Sequence, residues 1–512
     1  MEITRRMVLA LGAVGALFLA GGPAADRAAA QEGDELVIAY NVNLPSFDPT
    51  VGPSAVNPTI QAIYQSVFDQ YIGQEPNLDF KPGILTDWGW NEDKTKVTMT
   101  VREGVKWHDG SDLTPEDVVW SLERAGKPET GNPIQFVWSK LGNFAIDGNV
   151  ITADVVEFEP TIFKWMAFLT GYVLPKAYYE KVGAEGFEEK PVGSGPYKVE
   201  EFQRNAFLRL SANEDYWGGA PAYKSVVIKF VPDASSRVAE VESGKSQVAF
   251  DIPYEEYDRL REKDGLDGAT TPVSDIAMIF LNDVEPMTDR NVRLAAAHAI
   301  DKQLLIDRLL GGYGVRIDTL QAPEYAAFDA SITVAYDPDK AKELLAASSY
   351  STDNPVRFTI QTTRGFKPKD YEMIQAIVGM WRRVGIEAEI EVYEIAKHFE
   401  LRAADQLAPT AFYNWGNSIG DPSTSTGFAM FGPSPHSVWD GQDMIEMIGA
   451  LWGEKDEDKR IAGYQAVDRK IAEEAYVIPL LQYVQPIVHA AGVAVTPHVS
   501  GAVLPLLMKP AS

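Results

Sequence analysis

Residues 84–124 constrain the fold more than any other stretch, because they predict two strands, a tight turn and a capped helix in succession. Apolar and polar side chains alternate over residues 97–102, which is the period of a half-buried strand. Asp109-Gly110 is a turn signal. Thr114 is a favoured N-cap residue, Pro115 suits the first helical position, and two acids follow. The stretch therefore predicts a β-hairpin followed at once by a helix that begins after Thr114.

The same stretch resembles the signature of the family 5 extracellular solute-binding proteins of ABC importers, which include binders of peptides, opines and nickel. In that family a Trp-containing strand and a charged turn precede the pattern Leu-Arg-x-Gly-Val-x-Phe-His-Asp-Gly-x-x-Leu-Thr-Ala-x-Asp-Val. Here Trp107 replaces the Phe and Pro115 replaces the Ala. Two later segments also follow the family pattern, Pro-Val-Gly-Ser-Gly-Pro-Tyr at 191–197 and Asp-Tyr-Trp-Gly-Gly-Ala-Pro at 215–221. An ordered match of this length is specific to the family.

The resemblance implies an α/β protein with the two-lobed periplasmic binding-protein fold, type II, in its large cluster C form with an extra inserted domain. The expected division is 34–58, 190–272 and 483–512 for lobe I, 59–189 for a subdomain inserted in lobe I, and 273–482 for lobe II. The chain would then cross between the lobes near 272 and near 483. Two crossings make a hinge, and the resemblance implies that ligand binds in the cleft that the hinge closes.

The residues after 274 support a regular α/β arrangement by their own pattern. Ile276–Leu281 is an almost continuous apolar run, which predicts a strand buried on both faces. Residues 291–310 carry apolar side chains at helical spacing and are followed by Gly311, so they predict one helix. This part of the chain is therefore expected to form a cored α/β unit.

Residues 1–30 are expected to be an export signal. The pair Arg5-Arg6 after a threonine is typical of the twin-arginine route, and an ordinary Sec signal is the alternative. The apolar run 7–20 is shorter than the ~20 residues that span a bilayer. Ala28–Ala30 offers a small-residue cleavage site, and the chain has no cysteine for a lipid anchor. We expect a periplasmic protein without stable membrane insertion.

Composition and net charge exclude several classes of binding partner and of catalytic site. The net charge of −27 argues against nucleic acid and anionic membranes. The lack of cysteine excludes thiol catalysis and Cys-ligated metal, and the six histidines are scattered. We expect a monomeric binding protein rather than an enzyme, without cofactor or metal, whose partners are a small-molecule solute and the transmembrane subunits of an ABC permease. An exported hydrolase with a dispersed active site is the alternative.

The segment 414–422 corresponds, by resemblance, to the family's Gly-Trp-x-x-Asp-x-x-Asp-Pro, whose first Asp holds the α-ammonium group of peptides. Anchoring the match on Trp415 and Asp421 places Ser418 at that first Asp. A serine is neutral and cannot make a charge-assisted bond to an ammonium group. Asn417 beside it is a further candidate contact. Trp415 is expected to stack on the solute or to pack in the core, and Asp421 to contact the solute or to hold a turn.

Residues 363–366 resemble the Arg-x-aromatic step that holds a dipeptide carboxylate in this family, so Arg364 and Phe366 are candidate ligand contacts. The fork of an arginine suits a carboxylate or phosphate. By the same resemblance, three more residues occupy positions that often touch ligand: Asn43, Phe136 and Trp138. Two ligand classes stay open, an oligopeptide and a sugar, sugar-phosphate or opine-like conjugate, and Ser418 favours the second. Nickel is disfavoured because the sequence has no evident cluster of His or Cys.

Overall fold

The computed structural model describes residues 34–350, 354–404, 406–434, 437 and 439–511. The expected export signal at 1–30 lies outside the described residues. Within the described ranges, no helix is both long enough and apolar enough to cross a membrane.

The strands are numbered in chain order. They are β1 (Glu35–Tyr40), β2 (Ile72–Gln74), β3 (Phe80–Pro82), β4 (Leu85–Trp90), β5 (Lys96–Val101), β6 (Leu141–Asp147), β7 (Val150–Val155), β8 (Tyr197–Gln203), β9 (Phe207–Ala212), β10 (Ser225–Phe230), β11 (Val248–Phe250), β12 (Leu266–Leu281), β13 (Gly314–Arg316), β14 (Val356–Thr362), β15 (Ile386–Val392), β16 (Thr410–Gly416), β17 (Val477–Ala490), β18 (Val493–Val495) and β19 (Met508–Pro510).

The α-helices are numbered in the same way. They are α1 (Gln61–Val67), α2 (Pro115–Ala125), α3 (Gln135–Trp138), α4 (Ile162–Met166), α5 (Lys176–Glu189), α6 (Ala234–Glu242), α7 (Tyr254–Arg261), α8 (Arg290–His298), α9 (Lys302–Leu309), α10 (Pro338–Ala346), α11 (Asp370–Val384), α12 (Ile395–Ala403), α13 (Phe428–Met430), α14 (Gln442–Trp452) and α15 (Glu457–Glu474). Short 3-10 turns lie at Pro53–Val56, Pro128–Thr130 and Pro505–Leu507, and a π-helical turn at Ser423–Gly427 precedes α13.

The signature stretch folds as its pattern predicts. β4 and β5 pair antiparallel, with Trp90 opposite Val97, and β5 pairs in turn with β7. α2 begins after Thr114 with a capping box, in which the Thr114 backbone N–H donates to Asp117 Oδ2 at 2.9 Å. The hairpin and α2 pack their apolar faces into a core built almost entirely from residues 71–192.

Two long strands connect the halves of the largest sheet in the described part of the chain. Its order is β15-β14-β16-β12-β17-β11-β1-β10-β9-β8, and β13 pairs with β17 beside this path. β12 and β17 pair antiparallel over most of their length. Residues 272 and 483, where we expect the chain to cross between lobes, both lie in this ribbon of β12 and β17. The ribbon therefore links β11 and its neighbours to β16 and its neighbours.

Separate apolar cores lie toward the two ends of the ribbon. One packs around β1, β8–β10 and α1, with Tyr64 and Phe187 fully buried. Two others pack around β12–β17 and the helices from α8 to α15, and Trp381 is fully buried in one of them. Because each half of the sheet has its own core and the 71–192 core is additional, the structure confirms the predicted α/β, two-lobed architecture.

The prediction of one helix over 291–310 is wrong, because the structure has two, α8 and α9. α8 ends at His298, and Asp301 begins α9 as its N-cap. The Asp301 side chain accepts a hydrogen bond from the Leu304 backbone N–H at 3.0 Å. A capping carboxylate stabilises a new helix start, so the apolar spacing continues across a break in the backbone.

Candidate functional site

The candidate residues at 415–422 lie on a turn that follows β16. β16 runs beside β12, and the Asn417 backbone N–H donates to the Ser274 carbonyl of β12 at 2.7 Å. The Asn417 side chain is buried and bonds within the turn: Nδ2 donates to the Asp421 carbonyl at 2.8 Å, and Oδ1 accepts from Thr424 Oγ1 at 2.7 Å. Asn417 therefore fixes the shape of the turn with its own amide group.

Ser418 lies at the start of this turn, against the ribbon. Its side chain is buried, and its Oγ lies 3.1 Å from Ser274 Oγ on β12. The Tyr325 hydroxyl donates to the Asn417 carbonyl at 2.7 Å, so it closes the same corner. Two neutral hydroxyl groups therefore meet where the resemblance places an acid in peptide binders.

Asp421 is fully buried between two cations. Lys164 Nζ lies 2.7 Å from its Oδ2, and both terminal nitrogens of Arg460 donate to the carboxylate. Its Oδ1 also accepts from the Ser423 backbone N–H at 2.9 Å. Burial alone would raise the pKa of the Asp421 carboxyl, but the charges of Lys164 and Arg460 outweigh it and hold that pKa well below its usual range. The carboxylate thus joins the turn to α4 and α15.

Trp415 is almost buried, with 9% of its surface exposed. Its indole N–H donates to the Thr424 carbonyl at 2.6 Å, and its ring lies near Phe280 and Tyr413 in an apolar core. The Arg402 guanidinium lies 5.7 Å from the ring centroid. These contacts match the core-packing alternative for Trp415 more closely than the stacking one.

Arg364 and Phe366 lie on an exposed loop between β14 and α11. The buried Asp370 carboxylate orders this loop, since it accepts from Thr363 Oγ1 at 2.7 Å and from the Gly365 backbone N–H at 2.8 Å. The Arg364 guanidinium lies 3.8 Å from the Tyr371 ring centroid, and Phe366 is 40% exposed. The loop presents a cation and an aromatic ring to solvent.

The loop and the turn both contact β12. Lys367 forms an ion pair with Asp275, and Asp275 lies directly opposite Gly416 in the β12–β16 register. The structure thus brings the Arg364 loop and the Ser418 turn to the same stretch of β12. That convergence makes residues 274 and 275 the centre of the candidate site.

The remaining candidates lie in other surroundings. Trp138 is 2% exposed, and its indole N–H donates to Thr170 Oγ1 at 2.8 Å inside the 71–192 core. Phe136 is 46% exposed and Asn43 is exposed. Trp138 therefore has a packing role, whereas the Phe136 and Asn43 side chains are accessible to a solute.

Sequence reasoning missed a set of amide side chains on and beside the ribbon. Gln482 Nε2 donates to Glu324 Oε2 at 2.8 Å and to the Val273 carbonyl at 3.2 Å. Gln485 Nε2 donates to Asp251 Oδ1 at 3.2 Å, and Asn41 Nδ2 donates to Asp251 Oδ2. The signal was available, because the two glutamines interrupt an otherwise apolar run, Val477–Val488. Burying a polar side chain in such a run costs free energy unless the side chain is hydrogen-bonded, so the two glutamines mark a feature that the apolar pattern does not explain.

Comparison with known proteins places this geometry in one family. The model for "Bacterial extracellular solute-binding proteins, family 5 Middle" matches residues 79–434. The chain is 25% identical over 429 residues to the dipeptide-binding protein of Escherichia coli K12, covering 77% of this chain and 79% of that one.

Solved structures with the same fold include HbpA2 from Haemophilus parasuis, with a TM-score of 0.81 at 20% identity over 93% of this chain and 100% of that one. The PBP/SBP MoaA of A. tumefaciens R10, in complex with mannopinic acid, gives a TM-score of 0.75 at 20% identity over 94% and 100%. At these identities the two structures establish the fold and leave the ligand open.

Proposed function

The chain belongs to the bacterial extracellular solute-binding proteins of family 5, the solute-binding components of ABC importers. From this premise we propose that it captures a sugar or opine-like conjugate in preference to an oligopeptide with a free amino terminus. The observation that carries the proposal is the pair of neutral hydroxyls, Ser418 and Ser274, 3.1 Å apart. An ammonium group buried there would lose its hydration and meet only hydroxyls, because the adjacent Asp275 carboxylate already pairs with Lys367 and accepts from Asn414, and such burial is costly.

The proposed mechanism is capture and presentation rather than catalysis. Solute enters between lobe I (34–58, 190–272 and 483–512, with 59–189 inserted) and lobe II (273–482), and the closed form meets the permease. Two contacts join the inserted segment to lobe II: Lys164 pairs with Asp421, and Lys455 Nζ donates to the Asp93 carbonyl at 2.8 Å. Solute shifts the protein toward the closed form only as far as it binds that form better.

The solute's acidic end is proposed to lie against the Arg364 loop. Arg364 is exposed and held on an ordered loop, and the guanidinium fork matches a carboxylate or phosphate. Phe366 beside it offers an apolar surface, and Asn43 and Phe136 are proposed as contacts from the opposite lobe. We propose that the anionic end of the solute lies at this loop and its hydroxylated end near Ser418.

A ligand screen by thermal shift, followed by calorimetry, tests the ligand class. We expect mannopinic acid, as a polyol–amino-acid conjugate, to raise the melting temperature more than the dipeptide Gly-Leu does. N-acetyl-Gly-Leu controls for the amino group, because it removes the ammonium charge and keeps the rest. Tight binding of Gly-Leu together with no binding of N-acetyl-Gly-Leu would show that an ammonium group is required and would overturn the proposal.

We propose that the protein is exported to the periplasm as a monomer, with cleavage after Ala30. The arginine pair, the short apolar run and the small residues before Gln31 support this. Amino-terminal sequencing of protein from the periplasmic fraction should begin at Gln31. Replacing Arg5-Arg6 by Lys-Lys should block export by the twin-arginine route, and unchanged export would indicate the Sec route instead.

A further inference from the structure

Three amide side chains at the ribbon have their donors engaged and their acceptors unused. Gln482 is fully buried, Gln485 is 8% exposed and Asn41 is partly buried. Among the residues that the structure describes, Gln482 Oε1, Gln485 Oε1 and Asn41 Oδ1 are shielded from solvent and have no hydrogen-bond partner. A buried acceptor without a partner costs about 1–3 kcal/mol, so a set of three calls for a purpose.

The orientation of each amide is fixed by its neighbours. The nitrogens of Asn41 and Gln485 both donate to the Asp251 carboxylate, and Gln485 Nε2 also donates to the Gly501 carbonyl at 3.1 Å. Gln482 Nε2 donates to Glu324 and to the Val273 carbonyl. Turning any of these amides over would set its oxygen against a carboxylate oxygen. The three unused atoms are therefore acceptors, and only a hydrogen-bond donor can satisfy them.

The unused acceptors lie near the contact between Ser418 and Ser274. Val273, whose carbonyl accepts from Gln482, directly precedes Ser274, and Ser274 Oγ meets Ser418 Oγ. Gly501 lies beside Gln485 and Val273: a Cβ at Gly501 would lie 3.6 Å from Val273 Cγ1 and 3.7 Å from Gln485 Nε2. The Ser274 backbone N–H donates to the Val499 carbonyl at 2.7 Å, which holds the 498–501 loop against the same strand. Hydroxyls and amide oxygens thus lie along one stretch of the ribbon, beside the carboxylates of Asp251 and Glu324.

We propose that Asn41, Gln482 and Gln485 receive the hydroxyl groups of a polyhydroxylated portion of the solute, through their three side-chain oxygens. This rests on the proposed function and names the part of the solute that the ribbon recognises. Hydroxyls fit better than an ammonium group, because the unused atoms are neutral and spread over three residues. The nearby Asp251 carboxylate already accepts amide donors on both oxygens. A polyol chain can offer one donor to each acceptor.

The test compares Gln482→Leu and Gln485→Leu with the wild-type protein in calorimetry, using mannopinic acid and D-mannitol as polyol probes and Gly-Leu as the comparator. Each variant should bind mannopinic acid about three- to tenfold more weakly, the loss expected for one neutral hydrogen bond. The matched control is Gln61→Leu, because Gln61 is equally buried but its Oε1 accepts from the Tyr172 hydroxyl at 2.7 Å. That variant should lower the melting temperature and leave the affinity unchanged.

The outcomes separate this inference from the proposed function. Polyol binding that is equally tight in the wild type and in both glutamine variants overturns the inference alone. If the wild type binds Gly-Leu and neither polyol, the proposed ligand class is wrong and so is this inference. If the wild type binds none of the three probes, the result contradicts the proposed function and this inference alike. Weaker polyol binding in the two glutamine variants, with Gln61→Leu unaffected in affinity, supports both.

Discussion

The turn at 417–426 and the ribbon of β12 and β17 both bury polar side chains, but they satisfy them to different degrees. In the turn, both Asp421 oxygens accept from cations, and every polar group of the Asn417 side chain bonds within the turn. In the ribbon, Gln482 and Gln485 engage their nitrogens and leave their oxygens without partners among the described residues. Polar groups that are fully hydrogen-bonded to one another stabilise the fold, whereas an acceptor without a partner can still accept a hydrogen bond from a ligand.

This difference assigns roles to residues that the family pattern alone leaves ambiguous. Asp421 has a carboxylate, which looks like the stronger ligand-binding group, but two cations already occupy it. Gln482 is neutral and is easily overlooked, yet its buried oxygen has no hydrogen-bond partner among the described residues. Under the proposed function, unused hydrogen-bonding capacity is therefore a better guide to the site than charge alone.

Removing the Asp421 charge should give the largest effect and should act on stability. In Asp421→Asn the Arg460 side chain, which is 1% exposed, keeps its charge and loses its buried counter-ion, and of its described ion-pair partners only the half-exposed Glu457 remains, at 3.4 Å. We therefore expect a loss of about 3–5 kcal/mol in the free energy of unfolding. Urea denaturation measures this loss. Asp339→Asn is the control, because Asp339 pairs with Lys342 on the exposed surface and should change stability by less than about 0.5 kcal/mol.

The same carboxylate predicts acid sensitivity. Its folded pKa is depressed, so the stability that it contributes is complete above the unfolded value of about 3.9 and is lost as the pH falls toward the folded pKa. The wild type should therefore lose its stability advantage over Asp421→Asn progressively as the pH falls below about 5. A constant difference between the two proteins from pH 7 to pH 3 would contradict the ion-pair assignment.

Arg364→Ala should act on binding and leave stability nearly unchanged. Arg364 is exposed, so its removal opens no cavity, whereas a bond to an anionic solute would be lost. We expect mannopinic acid to bind more weakly by about 1.5–3 kcal/mol, the range for a hydrogen bond to a charged group. Arg357→Ala is a suitable control, since Arg357 is exposed on the same strand-and-loop unit and pairs with Glu387. Equal affinity in Arg364→Ala and the wild type would remove Arg364 from the site.

Asp468, which lies beside the turn, offers a further test, because Thr426 Oγ1 donates to its Oδ1 and its Oδ2 has no partner among the described residues. Burial raises the pKa of Asp468 to about 7, although the hydrogen bond from Thr426 Oγ1 acts to lower it. A folded pKa above the unfolded value means that the wild type loses stability as the pH rises from about 4 to about 7. Asp468→Asn removes that titration, so its stability relative to the wild type should increase by about 3 kcal/mol over the same interval, as measured by urea denaturation. A pH-independent difference would show that Asp468 is ionised in the fold.

Much of the fold was readable from local pattern, because its signals are short-range. The alternation over 97–102, the turn at Asp109-Gly110 and the cap at Thr114 each specify a few neighbouring residues, and the structure has all three. The break between α8 and α9 was missed because the apolar spacing continues through Asp301, which caps the second helix. A cap and an interior residue look alike when the apolar pattern on either side agrees.

The site was less readable, because its contacts are long-range. Family position identifies Ser418, but only the fold shows that Ser274, 144 residues away in sequence, supplies the second hydroxyl. The cations that engage Asp421 come from α4 and α15, and the partners of Gln485 come from β11 and the 498–501 loop. Whether a polar group is satisfied depends on such partners, so the sequence could nominate Asp421 and could not show that its carboxylate is occupied.

Ser418→Asp should change ligand affinity least of these variants. It directly compares a neutral with a charged side chain at position 418. The new carboxylate would accept from Ser274 Oγ and could pair with a peptide ammonium group, but its burial would cost part of that gain. We expect Gly-Leu to bind about fivefold more tightly, or by about 1 kcal/mol, and mannopinic acid to bind more weakly. Ser418→Asn controls for size without charge and should improve Gly-Leu binding by less. Equal gains in the two variants would contradict the electrostatic account, and micromolar binding of Gly-Leu by the wild type would show that another acid already holds the ammonium group.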